Sequence, residues 1–553
     1  MAHLLHLWSH RQAAVLCIPT LLYLLSGFGG RFAPKSKLSV SNAWSLARRA
    51  SSAALVFSIA CCCYALWNAS ILTERPRLAS IFSLGSLHLS FRFDLVESLM
   101  LFLVSFLGWV IVNYSCSYMA GDPRERVYIG RLMHTLAAVT LLVVTNSMLV
   151  FLMAWIATSL ALHGLLTLYP TRQAAVIAAH KKFLASRLGD ISLLGGVLLL
   201  GSQTGSFEMD RIADSVSKLQ FVPLSMHIAA LLLAVSAILK CAQLPLHGWL
   251  IQVMEAPTPV SALLHAGIVN LGGFMLIRLA MVINTTPAAQ ALLVAVGCFT
   301  SVVASLVMTT RISIKVHLAW STCAQMGFML MECGLGLYAL AFLHLLAHSL
   351  YKAYAFLGSG ETVNQAKTKG LMPPLRAPRP SVQLVSGLCG LTVAALGEQV
   401  WRPAARMDAA AAFRITVVGL AVAGILAAIR STRSLAGALI LAGTSLAVSI
   451  LYFGYDAFFQ KVVTSQIFPQ VQHPILLILA LIGFVLLYAI QTIIRAYPLG
   501  RLATMLYPWF YAGLYLDEIF TRATFRLWPA TQFSTPTTRR DAIQPFEGAA
   551  QSL

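Results

Sequence analysis

Lys240 stands in the apolar run Met226–Leu250, directly before Cys241-Ala242-Gln243-Leu244-Pro245. A charged lysine at membrane depth costs roughly 2.5–3.5 kcal/mol on the milder insertion scale. Pro245 removes a backbone donor and interrupts the helix. Broken backbone in a bilayer is tolerated only where it is buried in protein or lines a wet cavity. A lysine beside such a break is the pattern expected of a proton or cation path. The plainer reading is a lysine snorkelling to the interface from a helix end, which the apolar sequence on both sides disfavours. His344, His348 and Lys352 form a second set at spacing i, i+4, i+8. They share one helix face with a drift of roughly 40° per step. Two imidazoles that titrate near neutral pH, aligned with an amine, can hand protons through intervening water. One histidine in an apolar helix is more often a satisfied core residue; three ionisable groups on one stripe favour a relay. Asp190 reads equally well as the structural partner of Arg187 or as a functional acid. Asp94 and Glu97, at the start of an apolar run, favour a helix N-terminus.

These groups need helices to hold them. Of 553 residues, 58% are hydrophobic and 10% charged, against about 25% charged in soluble domains; the chain is a polytopic membrane protein. Apolar runs near spanning length fall at about 12–29, 50–69, 95–114, 132–146, 147–168, 183–203, 222–251, 257–283, 288–309, 315–333, 334–358, 381–400, 412–429, 434–456 and 474–494. That predicts an all-α fold of about fifteen transmembrane helices. The first run starts near Gln12 without a small-residue cleavage site, so no removable signal peptide is expected. The net charge of +20 does not point to nucleic acid, because Lys and Arg collect in alternate loops. Examples are Arg31, Lys35, Lys37, Arg48 and Arg49; Arg124, Arg126 and Arg131; Arg172, Lys181, Lys182 and Arg187; Lys367, Lys369, Arg376 and Arg379; and Arg430 and Arg433. The positive-inside rule then puts the N-terminus outside and the tail after Arg495 in the cytoplasm. A basic cytoplasmic face suits anionic lipid or an acidic soluble partner. The ten cysteines lack zinc or iron–sulfur spacing. Phosphate-cradling, dinucleotide and nucleophile-elbow motifs are missing, so neither a catalytic residue nor a cofactor or metal is assigned to the chain.

Lys240-Cys-Ala-Gln-Leu-Pro-Leu-His-Gly-Trp-Leu leads into Glu255-Ala-Pro-Thr-Pro-Val-Ser-Ala-Leu-Leu-His265. This stretch resembles the proton-conducting antiporter-like family, which includes the largest antiporter-like subunit of respiratory complex I and the large subunits of Mrp-type sodium/proton antiporters. Further matches follow in order. Arg92-Phe-Asp94-Leu opens the third span and Tyr114…Tyr118-Met119 closes it. Lys182-Phe183…Arg187-Leu-Gly-Asp190 resembles the family's sixth span, and Lys315…Ser321-Thr…Gln325-Met-Gly327 its tenth, before His344…His348…Lys352. The resemblance covers roughly residues 90–360. It implies two inverted five-helix repeats containing broken helices, a design that recurs among transporters. It divides the chain into N-terminal transmembrane helices (1–131), a first repeat (132–283), a second repeat (288–429), C-terminal transmembrane helices (434–494) and a cytoplasmic amphipathic segment and tail (495–553). It also implies an ion pathway through Lys240, His265, His344, His348, Lys352, Lys315 and Asp190, with His265 linking the two half-channels.

The chain departs from complex I at identifiable places. The fifth span of the complex I subunit carries a glutamate that pairs with the channel lysine. Here Asn146…Trp155-Ile156-Ala-Thr158-Ser159…His163 holds no carboxylate, and 381–400 offers Glu398 where a lysine is expected. Gly513-Leu-Tyr-Leu-Asp517-Glu518-Ile-Phe520 resembles the segment preceding the long lateral helix of complex I, but a polar stretch follows and no lateral helix is expected. The fifth span and this tail resemble the membrane subunit of DAB-type inorganic carbon accumulation complexes. That resemblance implies a large cytoplasmic zinc-dependent partner similar to a β-carbonic anhydrase, driven by protons or sodium ions to trap bicarbonate, with the chemistry in the partner. An Mrp-type antiporter component, a respiratory or hydrogenase-linked subunit and a scaffold with relic polar residues remain alternatives. Met505–Pro529 reads as an amphipathic helix on the inner membrane surface, where Asp517, Glu518 and Phe520 are candidates for docking the partner.

Overall fold

The computed structural model describes residues 16–32, 37–71, 80–84, 87–253, 256–361, 379–403, 408–431, 434–464 and 473–528. Lys35, Glu255, Lys367, Lys369, Arg376, Arg433 and the tail beyond 528 lie outside them. The chain forms α1 (Ile18–Phe32), α2 (Lys37–Ile71), α3 (Leu95–Tyr118), α4 (Glu125–Val144), α5 (Met148–Leu166), α6 (Gln173–Thr204) and α7 (Met209–Ser217). There follow α8 (Leu224–Lys240), α9 (Gly248–Gln252), α10 (Thr258–Ala266), α11 (Leu271–Arg278), α12 (Ala280–Asn284), α13 (Pro287–Val307), α14 (Ile314–Gly334) and α15 (Tyr338–Leu357). The remainder are α16 (Pro380–Trp401), α17 (Ala409–Ala427), α18 (Leu435–Thr464), α19 (Pro474–Ala496), α20 (Arg501–Tyr511) and α21 (Leu516–Leu527). One small antiparallel hairpin, Ser80–Leu84 with Leu87–Ser90, precedes α3.

Among the described residues twelve helices are long and apolar enough to cross a membrane. Two shorter apolar helices, Ile18–Phe28 and Leu224–Lys240, accompany them, as does the 21-residue α14. With these three, the described helices cover each of the fifteen expected apolar runs. The solvent of the outer helices is lipid: Leu439, Ile440, Leu451, Ile475, Leu479 and Ile482 are more than half exposed, as apolar side chains facing hydrocarbon are.

The helices begin where the residues allow. The Asp94 carboxylate accepts from the Glu97 amide at 3.0 Å and caps α3, and Asp408 caps α17 from the Ala411 amide at 2.6 Å; such caps satisfy donors that a helix start leaves free. Glu97 does more than favour an N-terminus. Its side chain is buried and paired with Arg278 of α11, which ties the N-terminal spans to the centre of the bundle.

The run 222–251 is two pieces. α8 ends at Lys240, Cys241 is its C-cap, and Ala242 takes φ +51°, with a cis Leu244–Pro245 bond following. A left-handed alanine costs roughly 1–2 kcal/mol, and the surroundings hold it there. The Gln243 amide bonds to Ile238 O at 3.3 Å and its side chain donates to Cys241 O at 2.8 Å. The Leu244 amide donates to Thr300 Oγ1 at 3.3 Å. The break is therefore buried in protein, as a bilayer requires. Its far wall depends on two glycines: a Cβ on Gly297 would come within 2.5 Å of Gly327 O, and one on Gly327 within 2.7 Å of Gly297 O. Close contact of α13 and α14 brings Gln243 of the break against them. The run 257–283 is likewise divided, into α10, a short 3-10 turn at Ile268–Asn270, α11 and α12.

Candidate ion-conducting site

The first polar group gathers where α5, α6 and α8 pack together. Lys240 is 9% exposed, and its Nζ sits 4.2 Å above the Trp155 ring, a contact worth about 2 kcal/mol when desolvated. Asp190 of α6 is the carboxylate that acts on Lys240. Arg187 Nη2 stands 2.6 Å from Asp190 Oδ2, so the structural ion pair exists, and the Asp190 charge also reaches Lys240. Lys182, about two helical turns before Asp190, donates to Ser159 O at 2.5 Å and to Ser159 Oγ at 2.9 Å. The fifth span, which has no acid, thus meets both lysines with a ring and a serine, and α6 supplies the carboxylate.

The second group lies between α10, α14 and α15. His265 is completely buried, stacked on Phe356 at 4.4 Å between ring centroids, with Nδ1 3.1 Å from Thr322 Oγ1. The Thr322 hydroxyl has one proton and donates it to Leu318 O at 3.0 Å. It can therefore only accept from the ring, which assigns the proton to His265 Nδ1 and leaves Nε2 as a lone pair. Nε2 is buried without a protein partner. The same Leu318 carbonyl receives Lys352 Nζ at 2.9 Å. A chain of His265, Thr322, Leu318 O and Lys352 results.

One turn along α15, His348 is buried with neither ring nitrogen bonded to protein. Its ring centroid is 6.1 Å from that of His344, and His344 Nδ1 is 2.9 Å from Glu332 Oε2. The expected stripe is thus present as one file. Lys315 stands apart: its Nζ donates to Thr258 Oγ1 at 3.0 Å, at the start of the helix that carries His265 and one turn before Leu318.

Sequence reasoning missed Glu332, a lone carboxylate inside an apolar run, and a buried ionic quartet beyond it. Arg402 reaches Glu398 at 2.8 Å and Asp456 at 2.9 Å; Arg414 reaches Glu398 at 2.8 Å and Asp456 at 3.5 Å. Glu398 stands where the family offers a lysine, and here it belongs to a balanced set of two acids and two guanidiniums.

Asp517 is spent within the chain. Its Oδ1 takes Lys181 Nζ at 2.9 Å, its Oδ2 takes Gln252 Nε2 at 2.8 Å, and a Cβ on Gly248 would fall on its carboxylate. Lys181 also lies 5.8 Å from the Phe520 ring centroid, and Trp528 stacks on His180 at 4.0 Å. Arg311 donates to Tyr511 O and Phe510 O at 3.0 and 3.1 Å. Of the three docking candidates Glu518 is the exposed one, next to Ile519 at 64% exposure. Asp517→Asn is expected to lower the unfolding free energy in detergent by about 1–3 kcal/mol, the worth of charge-assisted bonds. Pairing it with Lys181→Met should cost less than the two single losses added. Thermal unfolding measured by tryptophan fluorescence checks this, and unchanged stability in Asp517→Asn would remove the clasp from the fold's energetics.

An all-helical bundle with a buried file of ionisable groups beside a broken helix defines an antiporter-like membrane protein. Residues 145–398 match the NADH:quinone oxidoreductase/Mrp antiporter transmembrane family, and 82–129 match the N-terminus of NADH-ubiquinone oxidoreductase (complex I) chain 5. The chain is 42% identical over 444 residues to the probable inorganic carbon transporter subunit DabB of Hydrogenovibrio crunogenus, covering 78% of this chain and 82% of that one. With the probable subunit DabB2 of Halothiobacillus neapolitanus it shares 36% over 475 residues, 84% and 85% of the two chains. The fold is similar to a chain of the Mrp complex from Dietzia sp. DQ12-45-1b, with a TM-score of 0.58 at 22% identity over 92% of this chain and 60% of that one. The chain belongs to the DabB family of antiporter-like membrane subunits.

Proposed function

We propose that the chain is the proton- or sodium-conducting subunit of an energy-coupled inorganic carbon transporter in a bacterial inner membrane. The cation gradient drives a large cytoplasmic zinc-dependent partner, similar to a β-carbonic anhydrase, that accumulates bicarbonate; the chemistry resides in the partner. The observation that carries this reading is two sets of buried ionisable groups, Lys182, Asp190 and Lys240 in one and His265, Lys352, His348 and His344 in the other. Leaving so many polar groups in an apolar bundle is costly unless ions use them. The repeats at 132–283 and 288–429 hold these sets, between N-terminal helices (1–131) and C-terminal helices (434–494). The N-terminus lies outside and the segment 495–553 in the cytoplasm. Contacts of α20 and α21 with Lys181, Gln252 and Arg311 support that sidedness, since Lys181 belongs to a basic cluster that the charge pattern assigns to the inner face.

Purification of the tagged chain in mild detergent from its native membrane tests the partnership. The expected result is stoichiometric recovery of a large soluble zinc protein with zinc in the purified complex. Recovery of several short membrane subunits instead would favour an Mrp-type antiporter, and redox subunits a respiratory complex; either overturns the carbon-transport reading.

A further inference from the structure

Glu332 is completely buried, two residues before the end of α14 and the turn into α15. One of its oxygens meets His344 Nδ1 at 2.9 Å, and the other has no protein partner. His344 Nε2 and both nitrogens of His348 are likewise buried and unpartnered. Buried polar atoms without partners are exceptions that require an explanation. Four such atoms lie in one file, with the two imidazoles 6.1 Å apart between centroids, the arrangement of a proton wire.

The charge balance around Glu332 sets it apart from its neighbours. Asp456 is the acid that acts on it, and Tyr452 stands within reach of both. Asp456 is already held by Arg402 and Arg414, which hold Glu398 as well. That quartet has equal numbers of acids and guanidiniums and no charge to spare. Across the turn, His344 faces Phe328, His348 and Glu332. Among the described residues, the group positioned to neutralise Glu332 is the His344 imidazole. His344, at 11% side-chain exposure, and Arg402, at 18%, are the members nearest the surface.

We propose that Glu332 and His344 form the proton-loading pair at the end of the relay that lies beside the α14–α15 turn. This rests on the conduction reading above and assigns a group that reading does not contain. The pair starts as a carboxylate that accepts from the Nδ1–H of a neutral imidazole across the 2.9 Å contact. A proton from water adds to the unpartnered Glu332 oxygen, and the acid passes it through water to the free Nε2 of His344. The imidazolium is held by the restored carboxylate. The Nε2 proton then leaves through water to His348, and the pair is again a carboxylate and a neutral Nδ1–H imidazole. The quartet is a fixed wall beside this path and carries no proton.

The purified complex in liposomes, with a pH-sensitive dye inside and an imposed pH gradient, provides the test. Glu332→Gln keeps the shape and removes the titrating group, and proton flux is expected to fall on the order of 100-fold, with Glu332→Asp retaining most of it. The infrared band of a protonated carboxyl that appears when the medium is acidified should disappear in Glu332→Gln, a change that a packing role would not produce. A conducting wild type with an equally conducting Glu332→Gln overturns the pair alone. If Glu332→Gln alters elution on size exclusion, His344→Gln decides in the same assay, and normal flux there also overturns it. A wild type that carries sodium but no protons overturns the pair while leaving conduction intact. A wild type that conducts nothing overturns the conduction reading itself, and the pair with it.

Discussion

Lys240→Met is expected to abolish gradient-driven uptake, with a loss on the order of 100-fold or more, while the protein still inserts and still recovers its partner. The reasoning combines position and charge. Lys240 ends α8 at a buried break, faces Trp155 at 4.2 Å and has Asp190 as its acidic neighbour. Each tenfold of rate corresponds to about 1.4 kcal/mol of barrier, and a missing relay site forces the proton across a dehydrated gap that costs several times that. Lys240→Arg should restore little, because a guanidinium does not deprotonate in proteins and would sit as a fixed charge over the indole. The measurement is carbon-dependent growth together with proton uptake by inverted vesicles. Normal growth of the Lys240→Met strain would remove the lysine from the mechanism and return it to packing.

The second large effect is expected at the joint between the halves. His265→Ala and Lys352→Met should each slow ion-driven uptake by about 100-fold or more, as loss of a proton-transferring group does. The double variant should lose much less than the product, because the two groups are successive stations of one path, fixed side by side by Thr322 and Leu318 O. Thr322→Val gives a milder version: it removes the acceptor that fixes the His265 tautomer while leaving both titrating groups. Rates are to be compared as logarithms. Strict additivity of the His265 and Lys352 losses would mean that the two residues pack independently and share no path.

Features that repeat within one helix could be read from the sequence, and features that need two helices could not. The stripe His344, His348, Lys352 depends only on the helical period. The break after Lys240 depends only on Pro245 and the apolar residues around it. Glu332 meets His344 because α14 and α15 form a tight hairpin through Leu335, Gly336 and Leu337, and no periodicity joins residues across such a turn. Its signal was a solitary acid in an apolar run. Asp190 was visible beside Arg187, but its service to Lys240 requires α6 packed on α8. Asp517 was legible as part of an amphipathic segment, and from there it looked free for a partner. A contact with Lys181 across 336 positions lies beyond any local pattern. The run 257–283 read as a single span because hydropathy registers apolar residues and is blind to the turn at Gly267.

The Lys181–Asp517 contact also orders events in time. Lys181 enters the bundle with α6, and its acid is made 336 residues later. At about 5–20 residues per second of synthesis, the interval is on the order of tens of seconds. Throughout it, the half-built bundle carries an ammonium group at a site that is fully buried in the finished protein. The deficit measured in Asp517→Asn is therefore also the deficit of every nascent chain that has not yet reached α21. Completion of the C-terminal helix closes the first half of the bundle as well as the last, and an unfinished chain differs from a finished one at its oldest end.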